Sequence, residues 1–244
     1  MKYIYLLIFF IFTSLNAGEV KVAVAANVSY AMDELIQKFN QTHPNTSVKT
    51  TLGSSGKLTT QIFHGAPYDI LLSADMSYPN KLYIQKLAIQ KPLVYANGSL
   101  AIFSAKKYDL VQGIEFLKNS AITRVAIANP KTAPYGKATI EALKKAKLFQ
   151  QVKPKLVYAE SISSVVSYAL TATDVGVIAK SSLYSKKISD YKENINWVEI
   201  APNLYTPIEQ GIALLSTNQE AKNFYDFILS HTAKNILKKY GYKQ

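Results

Sequence analysis

Four short stretches of this sequence place small polar or turn-forming residues between an extended run and a run with helical periodicity. They are Asn27-Val28-Ser29, Ser54-Ser55-Gly56, Asn129-Pro130-Lys131-Thr132-Ala133-Pro134-Tyr135-Gly136, and Glu160-Ser161-Ile162-Ser163. Each is placed to open a helix. The first turn of a helix exposes N–H groups with no intrahelical partner and carries partial positive charge, so several such turns converging would hold an anion without any cationic side chain. Taken singly, each reads as an ordinary cap, because Ser and Asn are favoured capping residues.

Other residue types that could do chemistry are less well supported. Ser54-Ser55-Gly56-Lys57 satisfies S-x-x-K, the nucleophile motif of penicillin-recognising enzymes, but neither S-D-N nor K-T-G occurs in the chain. The same GSSGK is not a phosphate loop, since Thr51 occupies the position of the earlier glycine. His43, His64 and His231 are isolated from one another and from carboxylates at ligand spacing, which argues against a histidine metal site or a Ser-His-Asp triad. Asp69 and Asp75 bracket an apolar run; Asp75 reads as a helix cap and Asp69 as a turn or interlobe residue.

Composition narrows the classes further. The 244 residues are 48% hydrophobic and 18% charged, which excludes a disordered chain and leaves room for two modest lobes. The net charge of +12 invites a nucleic-acid reading, yet every cation except Arg124 is Lys. Nucleic-acid readers favour the forked donors of Arg, so no nucleic-acid partner is expected. With no Cys, disulfides, thiolate metal sites, a cysteine nucleophile and a lipid-modified N-terminus are all excluded for this sequence. The Lys-rich surface would serve to gather anions.

Residues 1–17 combine Lys2, an apolar run from Ile4 to Phe12 and a small residue at Ala17, the pattern of a secretory signal peptide cleaved after Ala17. From Val20 onward, extended runs alternate with helical segments. Runs at 20–25, 48–52 and 70–73 alternate with helices at 31–39, around Leu58 and Ile62, and at 76–86. A second series has runs at 100–104, 125–128, 156–159 and 175–178, with helices near 113–118 and at 137–147 and 162–172. A final run at 208–215 precedes two amphipathic helices at 218–230 and 233–240. This is an α/β pattern of parallel sheets flanked by helices, divided into two lobes.

Read in order, the loops are more specific. AANVSYAMDEL, GSSGKL, GAPYDILLSAD at 65–75, ANPKTAPYG at 128–136, AESI at 159–162, VGVI at 175–178 and the closing NFYDFILSHTAKNILKKYGY resemble the periplasmic molybdate-binding proteins of ABC transporters. The resemblance implies a type II periplasmic binding protein fold, with one lobe of residues 18–96 and 207–244, the other of 97–206, and hinges near Ala96-Asn97 and Tyr205-Pro207. It implies a periplasmic monomer that binds molybdate or tungstate, carries no cofactor, catalyses nothing and serves the permease and ATPase subunits of an ABC importer. Carried over by position, the ligand residues are Asn27, Ser55, Tyr135 and Ile162, the last two through their main-chain N–H groups. Ala179 falls where many members carry a tyrosine whose hydroxyl reaches the oxyanion. The expectation here is that Tyr135 fills that space and that the Asn27 amide restores hydrogen bonding. Rival readings are a binder of tungstate alone or of sulfate, an extracytoplasmic sensor domain, and an exported serine hydrolase using Ser54 and Lys57.

Overall fold

The apolar runs Ile70–Ser73, Leu100–Phe103, Val125–Ala128 and Val175–Ala179 become strands buried at every residue, as central strands of helix-covered sheets are, whereas the strand at Thr46–Gly53 is largely exposed. The computed structural model describes residues 18–244, so the expected signal peptide lies outside the described residues. The chain begins with β1 (Gly18–Ala25), a 3-10 turn (Ala26–Val28), α1 (Ser29–Asn40), β2 (Thr46–Gly53), α2 (Ser55–Phe63), β3 (Ile70–Ser73), α3 (Ser77–Ile84) and β4 (Leu93–Gly98). It continues with β5 (Leu100–Phe103), β6 (Val125–Ala128), α4 (Pro134–Lys145), α5 (Phe149–Val152), β7 (Leu156–Ala159), α6 (Ile162–Thr171), β8 (Val175–Ala179) and β9 (Trp197–Glu199). It then returns through β10 (Ile208–Leu214) to α7 (Gln219–Leu229) and α8 (His231–Lys239).

Two five-stranded sheets result, in the orders β2-β1-β3-β10-β4 and β7-β6-β8-β5-β9. In each, three strands run parallel and the fourth, β10 or β5, runs against both neighbours. The sheets are therefore mainly parallel in strand direction, with one reversed strand apiece that periodicity alone did not reveal. The reversed strands are those the chain enters just after passing from one lobe to the other. Tyr95-Ala96-Asn97-Gly98, legible in the sequence only as a break, is the end of β4, pairing with β10. The expected helix near 113–118 is 3-10, and α4 begins at Pro134, three residues before its expected start, because proline suits the first helical position.

The first lobe packs α1, α7 and α8 on one face of its sheet, where Phe39 meets Phe224 edge to face at 5.0 Å. The other lobe buries β5, β6 and β8 completely beneath α4 and α6. Asp174, at the entry to β8, fastens the entry to β6. Its carboxylate accepts from Lys106 Nζ at 2.8 Å, from the N–H groups of Thr123 at 2.9 Å and Arg124 at 3.0 Å, and from Thr123 Oγ1 at 2.9 Å. The Lys106 ammonium, helped by the Thr123 and Arg124 donors, holds this carboxyl well below the usual carboxylate range despite partial burial. A depressed folded-state pKa contributes stability above the unfolded value that is lost as pH falls. Asp174→Ala, which strands those two main-chain donors, is expected to destabilise the protein by about 2–4 kcal/mol at pH 7. In thermal melts the gap between variant and wild type should narrow as pH drops below about 4.

Candidate functional site

The pairing order of the two sheets puts the four helix-opening turns in equivalent places. Asn27 follows β1 and Tyr135 follows β6, the second strand of each sheet order; Ser55 follows β2 and Ile162 follows β7, the outer strand of each. Ligands in open α/β sheets gather outside such carboxyl ends. All four residues are buried. Ser55 and Ile162 are the first residues of α2 and α6, and Tyr135 is the second of α4, so their N–H groups precede the first intrahelical hydrogen bond. Asn27 sits in the 3-10 turn, with its main chain likewise at a helical start.

The lobes are drawn together around these turns. Gly56 N–H donates to the Thr132 carbonyl at 2.9 Å, Ser181 Oγ donates to the Asn27 carbonyl at 2.8 Å, and Lys57 Nζ meets Glu160 Oε1 at 2.5 Å on the exposed rim. Ala25, Ala26 and Ala74 of the first lobe are buried in the same apolar cluster as Tyr135 and Ile162 of the other. Ser55 Oγ accepts from the Ala74 N–H at 2.9 Å. Among the described residues no hydrogen bond uses the proton of that hydroxyl, which is left to donate. The neighbouring Ser54 hydroxyl is buried with no partner of either kind.

Asn27 behaves differently from its sequence reading. Its amide Nδ2 donates to Gln210 Oε1 at 2.7 Å and to Tyr242 Oη at 2.8 Å, with Tyr135 Oη more distant at 3.5 Å. Gln210 Nε2 in turn donates to the Ile208 carbonyl at 2.8 Å, which fixes the orientation of both amides. The side-chain donors expected to face a ligand are thus spent inside the protein, and Asn27 Oδ1 is buried without a partner. Only the main-chain N–H of Asn27 is then left as a candidate donor. Tyr135 reaches toward the first crossing, where a Cβ on Gly98 would overlap its hydroxyl, so the absence of a side chain at Gly98 makes room for the phenol. Burial, with Tyr242, Tyr95 and Tyr205 nearby, pushes the Tyr135 phenol far above its ordinary pKa and keeps it neutral. Ala179, at the end of β8, pairs with Leu100 and is fully buried.

Sequence reasoning missed Gln210, Ser181 and Tyr242, none of which lies in a turn that opens a major helix. Of the weaker candidates, Asp75 does cap: its carboxylate accepts from Ser77 Oγ at 2.9 Å and Tyr78 N at 3.3 Å. Asp69 accepts from Lys21 N at 2.7 Å, a contact within one lobe. His43 stacks on Phe39, and the His64 ring contacts the Thr60 carbonyl. Lys57 is turned to Glu160, so no Ser54–Lys57 hydrogen bond forms and the geometry of a serine–lysine hydrolase is missing.

The profile of the bacterial extracellular solute-binding proteins matches residues 20–243. The molybdate-binding protein ModA of Rhodobacter capsulatus is 37% identical over 231 residues, covering 93% of this chain and 88% of that protein. Among solved structures, the periplasmic molybdate-binding protein of Azotobacter vinelandii superposes with a TM-score of 0.84 at 29% identity, covering 92% of this chain and 99% of that one. The sulfate-binding protein SubI of Mycobacterium tuberculosis, at 14% identity and a TM-score of 0.72 over 92% of this chain and 86% of its own, shares the fold.

Proposed function

The chain belongs to the molybdate-binding branch of the bacterial extracellular solute-binding proteins, and from that premise we propose that it captures molybdate or tungstate between its lobes in the periplasm and delivers it to an ABC importer. The observation that carries this reading is the equivalence of the four turns. Each lobe offers the helix openings after two corresponding strands, and none of Asn27, Ser55, Tyr135 and Ile162 is charged. Oriented N–H and O–H donors suit a fully ionised oxyanion, and the unspent proton of the buried Ser55 hydroxyl is one such donor. The lobes of this proposal are residues 18–96 with 207–244, and 97–206. The crossings near Ala96-Asn97 and Tyr205-Pro207 act as hinges, and a monomer docks on the permease, whose ATPase drives transport.

Donor-only recognition also sets selectivity. Protonated phosphate must place a proton against donors, and sulfate is too small to reach all of them; each unmade bond costs about 1–3 kcal/mol. A handful of charge-assisted bonds, less dehydration and the ordering of closure, gives a binding free energy of about −8 to −12 kcal/mol.

Calorimetric titration of the chain from residue 18 with molybdate, tungstate, sulfate and phosphate tests the reading. Molybdate and tungstate should bind in the nanomolar to micromolar range, and Ser55→Ala should weaken both by about 10- to 100-fold. Sulfate displacing molybdate at equal concentration would overturn the choice of ligand. Acylation of Ser54 by a penicillin-type reagent would favour the hydrolase.

A further inference from the structure

The C-terminal residues do more than end α8. Gly241, at φ +78, turns the chain out of the helix, its N–H donating to the Lys238 carbonyl at 3.1 Å. Lys243 then exchanges two main-chain hydrogen bonds with Asn97, each 2.8 Å, beside the first crossing. Its ammonium reaches Glu199 of the second lobe at 3.1 Å, a carboxylate that also pairs with Lys180. Between these anchors Tyr242 is driven inward and buried. Its hydroxyl donates to the Asn27 carbonyl at 2.9 Å and accepts from Asn27 Nδ2 at 2.8 Å.

A group bonded to both the carbonyl and the amide of one residue fixes the peptide plane and χ angles of that residue together. The second lobe grips the same carbonyl through Ser181 Oγ at 2.8 Å. We infer that Tyr242 is a positioning residue: held by the C-terminal strap, it sets the first ligand turn at Asn27 and ties that turn to the closed arrangement of the lobes. The inference rests on the binding role proposed above for Asn27, while the Tyr242–Asn27 hydrogen bonds themselves lie within the first lobe and do not depend on closure. Tyr95 supplies a built-in contrast, since its hydroxyl is equally buried and makes no hydrogen bond.

The experiment compares wild type, Tyr242→Phe and Tyr95→Phe by titration with molybdate and by hydrogen exchange of the ligand-free proteins. Tyr242→Phe is expected to bind molybdate about tenfold more weakly. It should speed exchange in peptides covering residues 24–30 while leaving those covering 46–63 unchanged. Tyr95→Phe should change neither. Unaltered affinity and exchange in Tyr242→Phe would overturn the inference, as would faster exchange throughout the molecule, which marks a merely structural phenol. If wild type binds no molybdate yet Tyr242→Phe loosens residues 24–30 alone, the positioning role stands and the ligand assignment falls.

Discussion

Gly56→Ala is expected to lower oxyanion affinity by about 10- to 100-fold without lowering the thermal stability of the ligand-free protein. Gly56 is the second residue of α2 in the first lobe, and its N–H donates across to Thr132 of the second. A Cβ there would lie 2.7 Å from Tyr78 Oη and 3.0 Å from both the Cα and the carbonyl oxygen of Thr132. The Tyr78 hydroxyl ends a long side chain and can swing aside. Thr132 is backbone, in the loop that leads to Tyr135, and it can retreat only by moving that loop or by holding the lobes apart. Overpacking of this kind costs about 1–3 kcal/mol, and here the penalty falls on the closed state alone. Within α2 itself alanine is the better helix former, by about 1 kcal/mol, so the open protein gains rather than loses. The diagnostic pair of measurements is a calorimetric titration and a melt with and without molybdate: weakened binding, a reduced ligand-induced rise in melting temperature, and an undiminished melt of the free protein. Full affinity in the variant would mean that the Gly56–Thr132 contact is not part of the bound state.

Much of the architecture was legible because the central strands are buried on both faces and therefore read as unbroken apolar runs, such as Ile70 to Ser73 and Val125 to Ala128. Alternation of such runs with helical segments is enough to require helix-covered, mainly parallel sheets. Strand order was not legible. Local pattern says nothing about β10 passing between β3 and β4, or β5 between β8 and β9, because those pairings join residues far apart in the chain. The end of β4 hid for a different reason. Asn97 and Gly98 carry turn residues inside a strand, since Asn97 must bridge to Lys243 and Gly98 must leave space for the Tyr135 phenol.

The proposed site divides along the same line. Ser55, Tyr135 and Ile162 announce themselves because the first turn of a helix has a local signature. The partners that orient the turns do not, since Gln210 lies within a strand and Tyr242 is the third-last residue of the sequence. Asn27 shows the consequence. Its residue type suggested a side-chain donor for the ligand, but whether an amide points outward or inward depends on what surrounds it. Here Gln210 and Tyr242 claim both of its N–H groups. In the proposed site, then, Asn27 offers its main chain, with the side chain acting as its anchor.

That distinction gives the second large effect, at Asn27 itself. Asn27→Ala leaves the Gln210 carbonyl oxygen without its donor and removes one of the two bonds to Tyr242, both in a fully buried setting. The expected loss of folding stability is about 2–3 kcal/mol, with affinity for molybdate falling about tenfold or more as the turn loosens. Unchanged affinity would show that the turn needs no anchor and that Asn27 compensates for nothing. Asn27→Asp separates anchoring from charge. The shape is kept, but an ionised carboxylate would face the Gln210 oxygen and stand beside a bound dianion. At pH 7 this variant should bind more weakly than Asn27→Ala. Burial disfavours the ionised form and raises the carboxyl pKa. As pH falls through that raised value the side chain becomes neutral and regains a donor for Gln210, so affinity should recover relative to Asn27→Ala. Titrations of both variants between pH 7 and pH 5 read this directly. Parallel pH dependence of the two would place position 27 too far from the anion for its charge to matter.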